Sequence, residues 1–213
     1  MKDCRGMIFD LDGTLLDSMG VWSQIDVDFL AKRGIDLPED YQRMVTPMGA
    51  RQAADYTIER FHLPDTPEML MEEWLNMAHE EYSRNIPLKP YAYEYVEKLY
   101  REGKKMAIAT SSDRYLVMPA LERTGLLPMM SAVVTAAEVR RGKGYPDIYE
   151  KAAGELGMAA AECAVYEDII EGIRGAKAGG FLAVGVYEKQ NAENYDLIRR
   201  EADVYIHSFR ELL

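Results

Sequence analysis

The sequence predicts an α/β protein: a doubly wound parallel-sheet core with an all-helical insertion after its first strand. Three observations carry this. From Pro87 onward, short apolar runs alternate with segments of helical period, the pattern of parallel strands joined by helical crossovers. Between residues 17 and 85 the apolar spacing is helical throughout, with no convincing strand. The acidic and hydroxyl residues suited to chemistry fall at the ends of the apolar runs, where ligands sit in sheets of this kind.

Met7, Ile8 and Phe9 form a continuous apolar run, as in a strand covered on both faces, and Gly13 ends it in a turn. On a strand, the side chains of Asp10 and Asp12 point the same way. Like charges that close disfavour each other's ionisation unless a cation or a transferred proton relieves them, so the pair is costly for structure and useful for chemistry. The period then becomes helical. Trp22, Ile25 and Phe29 form an apolar stripe stopped by Gly34; Ala50, Ala53, Ala54, Thr57, Ile58 and Phe61 form a second, and Leu70, Trp74, Met77 and Ala78 a third. The Trp and Met residues of this block read as its own small core.

The alternating part begins with the strand Met106–Thr110, followed by caps at Ser111, Ser112 and Asp113 for a helix carrying Leu116, Val117, Ala120 and Leu121. Ala132–Thr135 is the next strand, and the loop Gly142–Asp147 leads into a helix with Tyr149, Ala152, Ala153 and Leu156. Ala164–Tyr166 ends at Glu167 and Asp168; a glycine-interrupted helix closed by Gly179 and Gly180 then precedes the strand Leu182–Val186. Asp203–Ile206 reads as a short last strand. The expected organisation is a core of residues 1–16 and 86–213 with a helical domain of residues 17–85.

Composition narrows the function. The chain has 213 residues, 25 basic and 36 acidic, for a net charge of −11 and no Lys/Arg-rich run, so nucleic acid is not an expected partner. No apolar stretch approaches the roughly 20 residues that span a bilayer, and Asp10 and Asp12 interrupt the first apolar segment, so a cytoplasmic protein without membrane partners is expected. Cys4 and Cys163 border strands and read as small buried side chains, since two thiols make no disulfide framework.

The strand-end residues suit phosphoryl transfer. Asp10 and Asp168, with a backbone carbonyl of the Asp10–Asp12 turn, offer hard oxygen ligands for Mg²⁺, and no His or Cys competes for the ion. A carboxylate such as Asp10 can attack phosphorus, and Asp12 can move the proton of the leaving oxygen and of the attacking water. Lys143, the Thr110 hydroxyl and the backbone N–H groups of Ser111 and Ser112 would meet the charge on the transferring oxygens. Taken singly, Lys143 reads as a solvated lysine, Thr110–Ser112 as a helix cap and Glu167–Asp168 as a turn.

Taken in order, these residues resemble the haloacid dehalogenase superfamily of phosphotransferases. Asp10-Leu11-Asp12-Gly13-Thr14 matches its first motif, Thr110-Ser111 its second, Lys143 its third, and Glu167-Asp168 with Gly172 its fourth. The helical block is similar to the cap of the β-phosphoglucomutase and phosphoglycolate phosphatase branch. The resemblance implies a Rossmann-like core and an aspartyl-phosphate route, with Asp10 as nucleophile, Asp12 as general acid/base, and Thr110 and Lys143 as phosphate anchors. The implied Mg²⁺ set is Asp10, Asp12, Glu167 and Asp168. It further implies that the cap reads the substrate, with hinges near Leu16–Met19 and Asn85–Pro90, and makes Trp22, Arg43, Thr46 and Arg51 specificity candidates beside Ser111 and Ser112. Trp22 stands where the mutases resemble one another in carrying a cap His, Ile169 where many relatives have Ser, and Gly144 where many have Pro. A phosphatase of a small phosphorylated metabolite, monomeric, is therefore the expectation; a β-phosphoglucomutase-like phosphotransferase is the alternative, ahead of a noncatalytic binding module or a phosphonate hydrolase.

Overall fold

The computed structural model of the protein describes residues 4–46 and 48–213, so residues 1–3 of the expected core segment and Pro47 lie outside it. Its centre is β1 (Gly6–Phe9), buried along its whole length as the apolar run requires. Among the described residues, β1 pairs in parallel with β2 (Lys105–Thr110) on one side and with β4 (Cys163–Glu167) on the other. β3 (Ala132–Thr135) extends the first side, while β5 (Leu182–Val186) and β6 (Val204–Ile206) extend the second, giving the order β3-β2-β1-β4-β5-β6. The expected doubly wound parallel sheet is thus observed. Phe9 pairs with Ile108 and Tyr166, and Thr110 with Thr135, so the carboxyl ends of the central strands finish together. This is the edge at which ligands bind in such sheets.

The chain divides into two compact units, one of residues 1–19 and 86–213, the other of residues 20–85. The helical unit contains α1 (Val21–Ala31), α2 (Tyr41–Val45), α3 (Ala50–Phe61) and α4 (Pro67–Arg84). α1 buries Val21, Ile25, Phe29 and Leu30. Trp22 departs from the expected stripe: Val21 occupies the inward position four residues before Ile25, which leaves Trp22 49% exposed. Gly34, with φ +69°, lets the chain reverse after α1 while Ile35 N–H reaches back to Leu30 O at 3.0 Å. Phe29 meets Trp74 of α4 edge to face at 5.4 Å, and Arg33 lies over Phe29 at 3.8 Å while pairing with Glu73 at 2.7 Å. Tyr41 and Thr57 share a buried hydroxyl hydrogen bond of 2.7 Å.

In the sheet unit, α5 (Ala92–Arg101), α6 (Arg114–Arg123), α7 (Asp147–Leu156), α8 (Ile170–Ala178) and α9 (Tyr195–Glu201) accompany the strands. α5 and α9 are helices that the strand–helix reading above does not place. One side of the sheet packs Ile8, Ala109, Val165 and Ala183 against Ile148, Ala152 and Leu156 of α7 and Ile173 and Ala176 of α8. Aromatic rings pack around Phe9 and Tyr166, stacked at 4.5 Å, with Tyr95 of α5 reaching Tyr166 through a 2.6 Å hydroxyl contact. Cys4 and Cys163 are both free and buried. No helix of the described residues is long and apolar enough to cross a membrane.

The segments entering and leaving the helical unit are fastened to each other. Leu16 bridges antiparallel to Leu88, Asp17 N–H donates to Pro87 O at 3.0 Å, and Lys89 N–H donates to Leu15 O at 2.8 Å.

Two helical glycines separate close packing from mere backbone freedom. A Cβ on Gly175 would lie 2.0 Å from Lys143 O, whereas a Cβ on Gly154 of α7 meets nothing within 4 Å. Gly175→Ala should cost roughly 1–3 kcal/mol through overpacking, and Gly154→Ala should gain roughly 0.5–1 kcal/mol by restricting the unfolded chain. Urea unfolding of the two variants tests both signs.

Candidate active site

Asp10 follows β1 directly, and its N–H donates to Tyr166 O of β4 at 3.0 Å, so the strand pairing holds the backbone beneath a nearly fully buried carboxylate. One carboxylate oxygen accepts from Thr14 Oγ1 at 2.8 Å, and the other accepts from Lys143 Nζ. Thr14 is placed by a tight turn: Gly13 has φ +81°, and Leu15 and Leu16 N–H both return to Leu11 O. A Cβ on Gly13 would stand 2.3 Å from Asp168 Oδ2, so glycine is required there both for the turn and for the approach of that carboxylate.

β4 ends in Glu167, which is fully buried, and Asp168 follows it. Glu167 Oε1 accepts from Tyr149 OH at 2.7 Å and pairs with Lys143 Nζ at 2.7 Å, while Glu167 Oε2 is buried with no partner. Two glycines of α8 make this possible. Gly172 leaves room for the Glu167 carboxylate, since a Cβ there would lie 2.4 Å from its Cδ, and Gly175 lets the loop carrying Lys143 lie on the helix. The glycine interruption of this helix, visible in the sequence, is thus the seat of two site residues.

Carboxylate oxygens of Asp10, Glu167 and Asp168 all lie within 4.8 Å of one another. Burial, opposed by Lys143, pushes Glu167 up to about 7. Burial, reinforced by the Asp10 and Glu167 charges, raises Asp168 well above the usual carboxylate range. For Lys143, burial favours the neutral amine, but the Asp10 and Glu167 carboxylates outweigh it and keep the ammonium charged. Lys89, which acts on Asp168 from farther off, is matched by its own partner Glu188, so one lysine against three buried carboxylates leaves a negative excess, and the partnerless Glu167 Oε2 adds an unused oxygen donor. This donor set fits a hard divalent cation such as Mg²⁺.

Asp12 lies beside this cluster without belonging to it. Its two oxygens accept from Ser18 Oγ and Ser112 Oγ, each at 2.7 Å. The fourth expected metal ligand is therefore held as a hydrogen-bonded carboxylate, and the side chain of Ser112 is spent on orienting it. Thr110 is buried at the end of β2 and its Oγ1 accepts from Ser112 N–H at 3.0 Å, while Ser111 is exposed. Thr14, Ser18 and Tyr149 have no role in the sequence reading. Thr14 stood inside the first motif, whereas Tyr149 looked like one more apolar helix residue.

The helical unit has a pocket of its own, of about 380 Å³, walled by Trp22, Asp26, Tyr41, Gln42, Thr46 and Trp74 among others. Burial pushes Asp26 up to about 6 against the lowering hydrogen bond with Gln42, and the buried Trp74 Nε1 has no acceptor. Of the expected specificity residues, Trp22 and Thr46 line this pocket. Arg51 does not, and it is held on the surface of α3 and α4 by Asp55 at 3.3 Å and Glu68 at 2.5 Å. Arg43 is exposed.

Comparison with known proteins agrees with this architecture. The family model described as haloacid dehalogenase-like hydrolase matches residues 7–186. Hexitol phosphatase A of Escherichia coli K12 is 28% identical over 211 residues, covering 98% of this chain and 93% of that protein. Fructose-1-phosphate phosphatase of the same strain is 29% identical over 183 residues, covering 85% and 95%. Among solved structures, a family IA hydrolase from Entamoeba histolytica superposes with a TM-score of 0.78 at 24% identity, covering 98% of this chain and 95% of that one. The β-phosphoglucomutase of Clostridium difficile gives 0.71 at 18% identity, covering 99% and 93%. At these identities the structural matches establish the fold alone.

The raised carboxylates make metal-free stability depend on pH. The folded protein holds protons on Glu167 and Asp168 that the unfolded chain releases near pH 4–4.5, so the folded state binds more protons and loses stability as pH rises toward 7. Thermal melts in chelator should therefore fall between pH 5 and 8. Mg²⁺ should raise the melting temperature more at pH 8 than at pH 5; equal shifts at both would contradict the assignment.

Proposed function

The chain belongs to the haloacid dehalogenase-like hydrolase family, and on that footing we propose that it is a Mg²⁺-dependent phosphatase of small phosphomonoesters, working through a phosphorylated Asp10. One observation carries the reading: a buried Asp10 carboxylate, oriented by Thr14 and Lys143, stands in an acidic cluster, while the neighbouring Asp12 is held apart from it by two serines. Bound to Asp10, Glu167 and Asp168, Mg²⁺ would draw charge from the phosphoryl oxygens and offset the carboxylates' mutual repulsion.

The residues divide the work as follows. An Asp10 oxygen attacks phosphorus and the bond from phosphorus to the leaving oxygen breaks, while Asp12 gives that oxygen its proton. Water then attacks the same phosphorus, Asp12 takes a proton back, and the bond to Asp10 breaks to release phosphate. Ser18 and Ser112 keep Asp12 aimed through both steps. Lys143 keeps its charge and meets the anionic oxygens, helped by the Thr110 hydroxyl and the Ser111 backbone.

The walls of the pocket in the helical unit support a phosphatase over a mutase. Among its described lining residues there is no Lys, Arg or His, and there is a carboxylate, Asp26. That lining suits an uncharged, hydroxyl-bearing group, with aromatic faces at Trp22 and Tyr41, and is unsuited to a second phosphate. The relatives named for hexitol phosphates and fructose 1-phosphate support a sugar or polyol phosphate as substrate.

The purified protein should release phosphate from such esters with Mg²⁺ and fall silent in chelator. Asp10→Asn should lose on the order of 10³-fold or more in kcat, and acid-quenched wild type should carry a hydroxylamine-labile phosphate absent from the variant. Isomerisation of a sugar phosphate under a bisphosphate primer, without phosphate release, would overturn the phosphatase reading.

A further inference from the structure

The segment after β5 belongs to none of the four motifs, yet it sends one side chain, Asn191, onto a site carboxylate. It begins at Tyr187, whose N–H donates to Ile206 O at 2.9 Å, and continues into 3₁₀ turns over Lys189–Asn194. Glu188 organises it: one carboxylate oxygen accepts from Gln190 N–H at 3.1 Å, and its carbonyl accepts from Asn191 N–H at 3.1 Å.

The other Glu188 oxygen pairs with Lys89 Nζ at 2.7 Å, and both side chains are largely buried. Lys89 has three ammonium protons, and its remaining two contacts, each 2.7 Å, go to Gly13 O and Tyr187 O. Lys89 thus ties this segment to the turn between Asp12 and Thr14. Asn191 lies at a break in the 3₁₀ turns, and its Nδ2 donates to Asp168 Oδ2 at 2.7 Å and to Asp168 O at 3.2 Å. The other Asp168 oxygen has only a long contact from Thr14 at 3.4 Å. Asn191 is therefore the strongest hydrogen-bond partner the Asp168 carboxylate has. An amide gripping both the carboxylate and the carbonyl of one residue fixes the rotamer and leaves Oδ1 for the acidic cluster.

We propose that Asn191 is a positioning residue that orients Asp168 as a ligand for the divalent cation, and that the Glu188–Lys89 pair holds Asn191 in register with the Asp10–Thr14 turn. The proposal rests on reading Asp10, Glu167 and Asp168 as a cation site. Outer partners of metal ligands commonly account for 10- to 100-fold in affinity, so Asn191→Leu, which keeps the branched shape and removes the amide, sets the test.

Calorimetric titration of Mg²⁺ into the full-length, substrate-free protein gives the decisive readout, with melting in chelator beside it. Asn191→Leu should weaken Mg²⁺ binding about tenfold or more while melting within about 2 °C of wild type without metal. Its kcat at saturating Mg²⁺ should recover, with the loss confined to the Mg²⁺ dependence. Asn191→Ala provides the same comparison should leucine unfold the segment. Unchanged Mg²⁺ affinity in a folded variant overturns the role of Asn191 and leaves the cation site standing. Absence of Mg²⁺ binding by wild type overturns both.

Discussion

Crowding of negative charge around the buried Lys143 ammonium governs this molecule. Asp10, Glu167 and Asp168 come from two adjacent strands and are held too close to be ionised together at low cost; Lys143 pairs with two of them and Lys89 acts on Asp168 from farther off. In a medium that screens poorly, the imbalance is an affinity for positive charge, which a divalent cation would supply. Part of the neighbouring structure serves to make the crowding tolerable: the Tyr149 hydroxyl on Glu167 and the Thr14 hydroxyl on Asp10.

The sheet makes the cluster reproducible. Because β1 lies between β2 and β4 in parallel register, the residues after Phe9, Ile108 and Tyr166 emerge side by side, and no loop has to find its place alone. Close packing then sets distances to a few tenths of an ångström. The absent side chains of Gly13, Gly172 and Gly175 are as much a part of the site as the charged groups, since each marks a point where a carboxylate or a carbonyl occupies the space of a methyl group.

Much of this was legible in the sequence because strand ends announce themselves: an apolar run that stops at a carboxylate places Asp10, and likewise Glu167 with Asp168, on the binding edge. What could not be read was which groups would meet. Lys143 pairs with both Asp10 and Glu167 across long separations in the chain, and nothing local encodes that. Asn191 sits in a polar stretch without periodicity, and Tyr149 was hidden among apolar helix positions. The stripe of α1 is ambiguous by one residue: Val21, immediately before Trp22, fits the inward positions equally well and takes them. The helix Ala92–Arg101 does carry inward residues at helical spacing, in Ala92, Tyr95, Val96 and Leu99, whereas seven-residue α9 is too short for periodicity to declare it.

The joining of Leu16 to Leu88, Asp17 to Pro87 and Lys89 to Leu15 closes the chain at the root of the helical unit. Whatever lies between residues 20 and 85, the sheet unit receives its chain back at a neighbouring point and in a fixed direction. Evolution can therefore treat the helical unit as an exchangeable cassette, lengthening it, reshaping its pocket or replacing its lining, while the fold of the sheet unit is inherited unaltered. The root contacts make the insertion a place where sequence can drift without disturbing the register of the strands that carry Asp10 and Asp168.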